Sequence, residues 1–213
     1  MRVVVFGARG TLGSRVVREL LRRNHTVRVV ARPGTVADGD PVRMPTVIAD
    51  VTRPSSVTEA IRGADVVVSA IGPDPGEAPS VITEAARALL AGARHAGVAR
   101  LIVVGGAGSL EVSPGLQLLD SAGFPSEHRP VALAHREALT ILRAESGIEW
   151  TVVSPAATVE PGARTGHYRA GGDQLVTDAA GRSHISAEDF AVAIVDEIEE
   201  PRHVRRRFTV ASL

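Results

Sequence analysis

"VVVFGARGTLGSRVV" (residues 3–17) sets Gly7, Gly10 and Gly13 at three-residue intervals directly behind an apolar run, with Arg9 lodged among them. The run "RVVVF" (2–6) is almost continuously apolar, as in a strand buried on both faces. In "TLGSRVVRELLRRN" (11–24), Leu12, Val16 and Leu20 fall four residues apart with Val17 and Leu21 beside them and arginines opposite. That spacing predicts an amphipathic helix, stopped near Asn24. In a strand–turn–helix setting Gly7 permits the sharp turn, Gly10 lets the backbone approach a pyrophosphate, and Gly13 lets helix and strand pack closely. Thr11 and Leu12 open the helix, where unpaired N–H groups face an anion. The glycine spacing alone is weak, because turns use glycine freely; its place at the start of a β-α-β unit gives it meaning.

Working outward, "TVRVVA" (26–31) reads as a second strand and "PTVIAD" (45–50) as a third, after a Pro/Gly/Asp-rich loop. A short helix at 56–63 leads into "DVVVSAIG" (65–72), a fourth strand; a longer helix fits 80–96, and "RLIVVGG" (100–106) is a fifth strand. A helix at 131–146 and a sixth strand, "IEWTVVSP" (148–155), complete the alternation. Strands alternating with helices predict an α/β fold, a Rossmann-like doubly wound parallel sheet with helices on both faces. Beyond Pro155 the pattern lapses into a Gly-rich loop (156–172), two short strands around 174–177 and 182–185, a helix at 186–199 and a last strand at 206–211. The expectation is one domain over 1–213, with 156–185 as a small substrate-side region.

Composition narrows the function. Formal charge is zero and only 3% of the 213 residues are aromatic, which speaks against a nucleic-acid partner. No apolar run approaches a membrane span, and the chain enters a strand at Arg2 without the architecture of a secretory signal, so a cytoplasmic protein without membrane contact is expected. There is no cysteine and no lysine; all 24 basic residues are arginines. A P-loop and Schiff-base catalysis are thereby excluded. The seven histidines lack the His-Glu-x-x-His spacing, so no metal is expected, and no Gly-x-Ser-x-Gly elbow marks a hydrolase. The acidic "DEIEEP" (196–201) and basic "RHVRRRF" (202–208) read as solvated faces joined by a surface ion network.

Cofactor choice is written at the end of the second strand, where NAD-selective sites place an acid for the ribose 2′-hydroxyl. Here "VVARPG" puts Arg32, 19 residues beyond Gly13, and no acid. Arg9 lies on the same side, so the two guanidinium groups form a fork suited to a 2′-phosphate, unless both are solvated surface arginines. NADP (NADPH) is the sharper expectation, with NAD as the other. At the third strand's end Asp50 either accepts from the adenine amino group, with Val51 packing on the ring, or caps the following turn. Ala70, Ile71 and Gly72 in "SAIG" either put small and apolar residues beside the cofactor or simply end the strand in a glycine turn, and Pro155 ends the sixth strand at the same end of the sheet.

Taken together, "GARGTLG", "VVARPG", "ADVT", "GADVVVSAIG", "RLIVVGGAGS", "WTVVSPA", "PGARTGHYR" and "SHISAEDFAVAIVDEIE" resemble the NAD(P)H-binding, NmrA-like branch of the atypical short-chain dehydrogenases/reductases. That branch includes NADH-flavin reductases and is similar to the flavin/biliverdin-IX-beta reductase type. Arg9 stands where the family turn usually carries threonine or another small residue. The Tyr-x-x-x-Lys pair of larger relatives is absent: Val131 falls at the Tyr place and His135 at the Lys place, and the only tyrosine, Tyr168, lies late in the chain. The resemblance makes His135 a candidate to bind the ribose or relay a proton, against a structural role in its helix. Ser109, near the usual active-site Ser/Thr, is a candidate donor to a substrate carbonyl, against a role as a turn former. The histidine that biliverdin reductases carry after the sixth strand is replaced by Ala156 and Ala157.

The resemblance implies an NAD(P)H-dependent oxidoreductase, NADPH preferred, moving hydride to a small acceptor such as a flavin, quinone or carbonyl compound. Such transfer needs mainly orientation of the nicotinamide, so the missing Tyr/Lys pair matters less than in an alcohol dehydrogenase. The alternative is a non-catalytic dinucleotide-binding redox sensor or regulatory module; sugar-nucleotide epimerase chemistry ranks last. Neither the acceptor nor the oligomeric state is legible.

Overall fold

The computed structural model describes residues 1–34 and 44–212. Most of the expected Pro/Gly/Asp-rich loop between the second and third strands lies outside them. The elements run β1 (Arg2–Phe6), α1 (Thr11–Arg22), β2 (Thr26–Ala31), β3 (Thr46–Ile48), α2 (Pro54–Ile61), β4 (Val66–Ser69), α3 (Val81–Ala96) and β5 (Arg100–Val104). There follow β6 (Glu111–Ser113), β7 (Leu116–Gln117), α4 (Arg129–Arg143), β8 (Glu149–Ser154), β9 (Thr158–Glu160), β10 (Arg169–Gly171), β11 (His184–Ser186), α5 (Ala187–Glu199) and β12 (Arg206–Ala211).

Eight strands form one sheet in the order β10-β12-β8-β5-β4-β1-β2-β3, parallel throughout except for the edge strand β10. The chain winds outward from β1 in both directions, and this reversal opens a crevice at the C-terminal ends of β1 and β4. The fold is thus the doubly wound α/β architecture. Side chains of β1 show why its sequence is unbroken apolar: Val3 and Val5 pack with Leu20, Phe190 and Ile194 under α1 and α5, while Val4 and Phe6 pack with Ile61, Leu89 and Trp150 under α2, α3 and α4. A strand with two covered faces has no solvent side on which to alternate.

The C-terminal third departs from expectation. Residues 174–177 form no strand beyond a bridge at Gln174, and the Gly-rich stretch instead contains β9 and β10. β9 pairs with β11, and β10 closes the edge of the main sheet on β12. The hairpin β6–β7 was not foreseen. The charged stretches 196–201 and 202–208 are not simply solvated. Glu197 is buried against Arg100, with Oε1 2.7 Å from the guanidinium, and Arg207 is buried against Ser109 and Asp173. Each of these oppositely charged segments buries one of its charges, Glu197 on the inward side of α5 and Arg207 in β12, a strand buried from Arg207 to Ala211.

Candidate functional site

The site is built from the turn after β1. Gly7 adopts φ +72°, and a Cβ there would lie 2.3 Å from the Ala70 carbonyl oxygen. At Gly13 a Cβ would come within 2.0 Å of the Gly7 carbonyl oxygen, so α1 touches the turn backbone to backbone. Gly10 differs: its nearest neighbour would be Gly7 O at 3.4 Å, an ordinary contact, so nothing within the described chain requires the missing side chain. Gly10 is also the N-cap of α1, which has no side-chain cap and no acid in its first turn. The first N–H groups of the helix, including those of Thr11 and Leu12, therefore have no partner among the described residues and lie beside a bare glycine, an arrangement that suits a phosphate.

Above this turn lies a cleft of about 500 Å³ at the C-terminal ends of β1, β2, β4 and β5. It brings together Gly7, Arg9, Gly10, Thr11 and Leu12 from the turn, Arg32 from the end of β2, Val51, the Ala70–Gly72 stretch after β4, and His135 from α4. Gly13 sits beneath, against Gly7.

Arg32 is engaged: Nη1 lies 2.8 Å from Asp74 Oδ2 and 2.9 Å from Glu77 Oε2. These two acids, in the loop after β4, were missed from the sequence. The signal was present in "PDPGE", two acids immediately past the strand-ending Gly72. Asp50 caps its own turn, its Oδ1 accepting from the Thr52 N–H at 2.9 Å and the Thr52 hydroxyl at 2.7 Å. Its Oδ2 lies 3.2 Å from Arg53, and the carboxylate lines a neighbouring hollow that meets the cleft at Ala49. Those Thr52 hydrogen bonds hold its pKa below the ordinary value.

His135 stands at the β5 end of the cleft beside Gly105, its ring close to Gly106, where a Cβ would approach Cδ2 to 3.1 Å. Burial pushes its pKa down to about 4, so the imidazole is neutral at pH 7. It has no hydrogen-bond partner among the described residues, which leaves its ring nitrogens for a ligand. Val131, at the place of the absent tyrosine, packs with Val81, Ile82 and Ala134 and brings no hydroxyl.

Three expectations are not met at the cleft. Ser109 is buried, its hydroxyl oxygen accepting from Arg207 Nη1 at 2.9 Å, so it supports β12 and does not face the cleft lining. Pro155 is likewise buried away from the lining. None of the described residues lining the cleft comes from 156–185; there Arg164, Thr165 and Tyr168 bond Glu19, Asp189 and Asp196 on α1 and α5. Among the described residues no group of three His, Cys, Asp or Glu side chains could hold a metal, and no helix is long and apolar enough to cross a membrane.

The cleft can therefore bind an extended anion-bearing ligand and orient it, with one neutral imidazole at its far end. Comparison with known proteins agrees. An uncharacterized Bacillus subtilis protein is 38% identical over 216 residues, covering 100% of this chain and 99% of its own. Among solved structures, a candidate exported protein from Burkholderia pseudomallei is 45% identical with a TM-score of 0.90, covering 99% of each chain. A candidate NADH-flavin reductase from Streptococcus pneumoniae is 29% identical with a TM-score of 0.87, covering 100% of both chains. The sequence model of the NAD(P)H-binding family matches residues 7–201, so a glycine turn under a bare helix N-terminus, set in a doubly wound sheet, has its counterpart across nearly the whole sequence. The chain belongs to the NAD(P)H-binding family.

Proposed function

We propose that this protein is an NAD(P)H-dependent oxidoreductase that prefers NADPH, works in the cytoplasm and moves hydride to a small acceptor such as a flavin, quinone or carbonyl compound. The observation that carries the reading is one cleft holding a bare helix N-terminus, Arg9 and Arg32, with no acid at the end of β2. The dinucleotide, when bound, supplies the hydride. The chain's part is to hold and aim it: the Gly10 backbone and the α1 N–H groups take the pyrophosphate, and Arg9 and Arg32 take the 2′-phosphate. Val51 and Ile71 pack on apolar faces. His135, neutral at working pH, gives one hydrogen bond that fixes the ring end without adding charge. Orientation of this kind supplies most of what transfer to a flavin or quinone requires.

Titration with both cofactors tests the preference. NADPH is expected to bind at least about tenfold more tightly than NADH, and Arg9→Ala and Arg32→Ala each to weaken NADPH about tenfold while leaving NADH within twofold, the scale of a charge-assisted phosphate pair. Equal binding of the two, or no effect of either substitution, refutes the NADPH preference. A panel of flavins, quinones and carbonyl compounds tests turnover. NADPH bound tightly yet oxidised by none of them would favour the second reading, a dinucleotide-binding redox sensor. That reading is supported by Val131 and a neutral His135 in place of an acid–base pair.

A further inference from the structure

In the sheet β1 lies between β4 and β2. Arg32, just past β2, and the loop after β4 can therefore meet only across the end of β1, above the glycine turn. They do meet there. All three close carboxylate contacts fall on one nitrogen: Arg32 Nη1 lies 2.8 Å from Asp74 Oδ2, 2.9 Å from Glu77 Oε2 and 3.0 Å from Glu77 Oε1. Among the described residues, Nη2 has only the Gly72 carbonyl oxygen at 3.5 Å. Glu77 Oε2 also accepts the Asp74 N–H at 2.9 Å, so the turn presents the two acids as one unit. Two carboxylates thus converge on the Arg32 guanidinium at the adenosine end of the cleft, where Arg9 also lies.

We propose that Asp74 and Glu77 clasp Arg32 over the mouth of the dinucleotide cleft and compete with the cofactor's 2′-phosphate for it. On this view these two acids, rather than an acid on β2, set the preference between phosphorylated and unphosphorylated dinucleotide. The inference rests on the reading of Arg32 as a phosphate ligand. Competition follows from donor arithmetic and charge. Both Nη1 protons are directed at carboxylates, so a phosphate must either displace the acids or use the Nε–Nη2 edge with two like charges a few ångströms away. Displacing Asp74 costs little, because its side chain is 70% exposed and a pair so open to water is weak, while Glu77, 31% exposed, is the firmer half of the clasp. A doubly charged phosphate held bidentately by a guanidinium outweighs such a pair.

The test measures affinities for NADPH, NADH and 2′,5′-ADP by calorimetry on the wild type, on Asp74→Asn/Glu77→Gln and on Arg32→Ala, with thermal melts confirming that each is folded. The paired amides keep the shape of the turn and remove both charges. NADPH and 2′,5′-ADP should bind about tenfold more tightly to the double variant, with NADH changed less than twofold. Unchanged or weaker NADPH binding, or equal tightening of NADPH and NADH, overturns the clasp. Arg32→Ala separates the two ideas. If it weakens NADPH while the double variant does not tighten it, the clasp falls and the NADPH preference stands; if it changes nothing, Arg32 binds no phosphate and both fall. None of these readings depends on turnover or on the acceptor.

Discussion

Gly10 and Gly13 lie three positions apart and are glycine for different reasons. Gly13 is fixed by the chain itself, since a methyl group there would sit 2.0 Å from the Gly7 carbonyl oxygen and drive α1 off the turn. Gly10 has φ −69° and room for a Cβ, so nothing in the described chain requires it to be bare, and on the proposed reading its bareness serves the dinucleotide. Gly13→Ala should therefore lower stability by about 2–4 kcal/mol, the scale of a backbone overpacking, seen as a large fall in melting temperature. Gly10→Ala should stay within about 1 kcal/mol of wild type, as an N-cap change does, yet weaken dinucleotide binding at least tenfold. Equal losses of stability in the two variants would contradict this division of labour. All three glycines and both arginines were legible as residue types at a spacing. The partners of Arg32 were not, because Asp74 and Glu77 are more than 40 positions away and join it only through the sheet order.

At the scale of elements, α1, α5 and the segment between β9 and β10 are held by a charge network at their seam, centred on the buried Glu19. Glu19, buried on α1, takes a bidentate contact from Arg164 at 2.7 Å and one from Arg23 at 2.7 Å, and Arg23 continues to Asp196 and Glu199 on α5. The Arg164 hydrogen bonds, with those of Arg23, hold the Glu19 carboxyl down to about 2 from an ordinary 4.5. A carboxylate depressed on folding stabilises above its unfolded pKa, and that stability is lost as pH falls through the folded value. Glu19→Gln should thus cost on the order of 1–3 kcal/mol at pH 7, with the gap to wild type constant down to about pH 5 and closing toward pH 2. A gap independent of pH would show that the charge contributes nothing. The helices were legible: the stretch 80–96 is α3 at Val81–Ala96, and 186–199 is α5 at Ala187–Glu199. Strands β9 and β10 were not, because three residues without alternation carry no period, and their pairing is decided by what they lie against.

Across the whole molecule, the sheet and its last helix are joined by a charge pair that no composition reveals. Arg100 at the start of β5 reaches Glu197 on α5 at 2.7 Å, with side chains 7% and 2% exposed, and Glu197 also receives the His203 ring at 2.7 Å and the His203 backbone N–H at 3.0 Å. Arg100 Nη1 is satisfied by Thr151 Oγ1 and the Glu149 carbonyl, both at 2.8 Å, while its buried Nε has no partner among the described residues. Desolvating two ions offsets most of their attraction, so the pair adds little net stability, whereas stranding one of them is costly. Glu197→Ala should destabilise by about 3–5 kcal/mol in denaturant melts, and Arg100→Met/Glu197→Met by less than the sum of the two single changes. Strict additivity would mean that the two charges do not sense each other.

The sequence by itself determined the alternation of buried strands and amphipathic helices, the glycine turn under a helix N-terminus, and the replacement of an acid by Arg32. Those are properties of neighbouring residues, set by backbone periodicity and by which side chains a turn admits. Only the tertiary structure decided which groups meet at the cleft. It brought His135 in, half-buried and held neutral by desolvation, and turned Ser109 to Arg207. It also closed Asp74 and Glu77 on Arg32 across β1. Those choices depend on strand order and burial, which act between residues far apart in the chain and leave no local period to read.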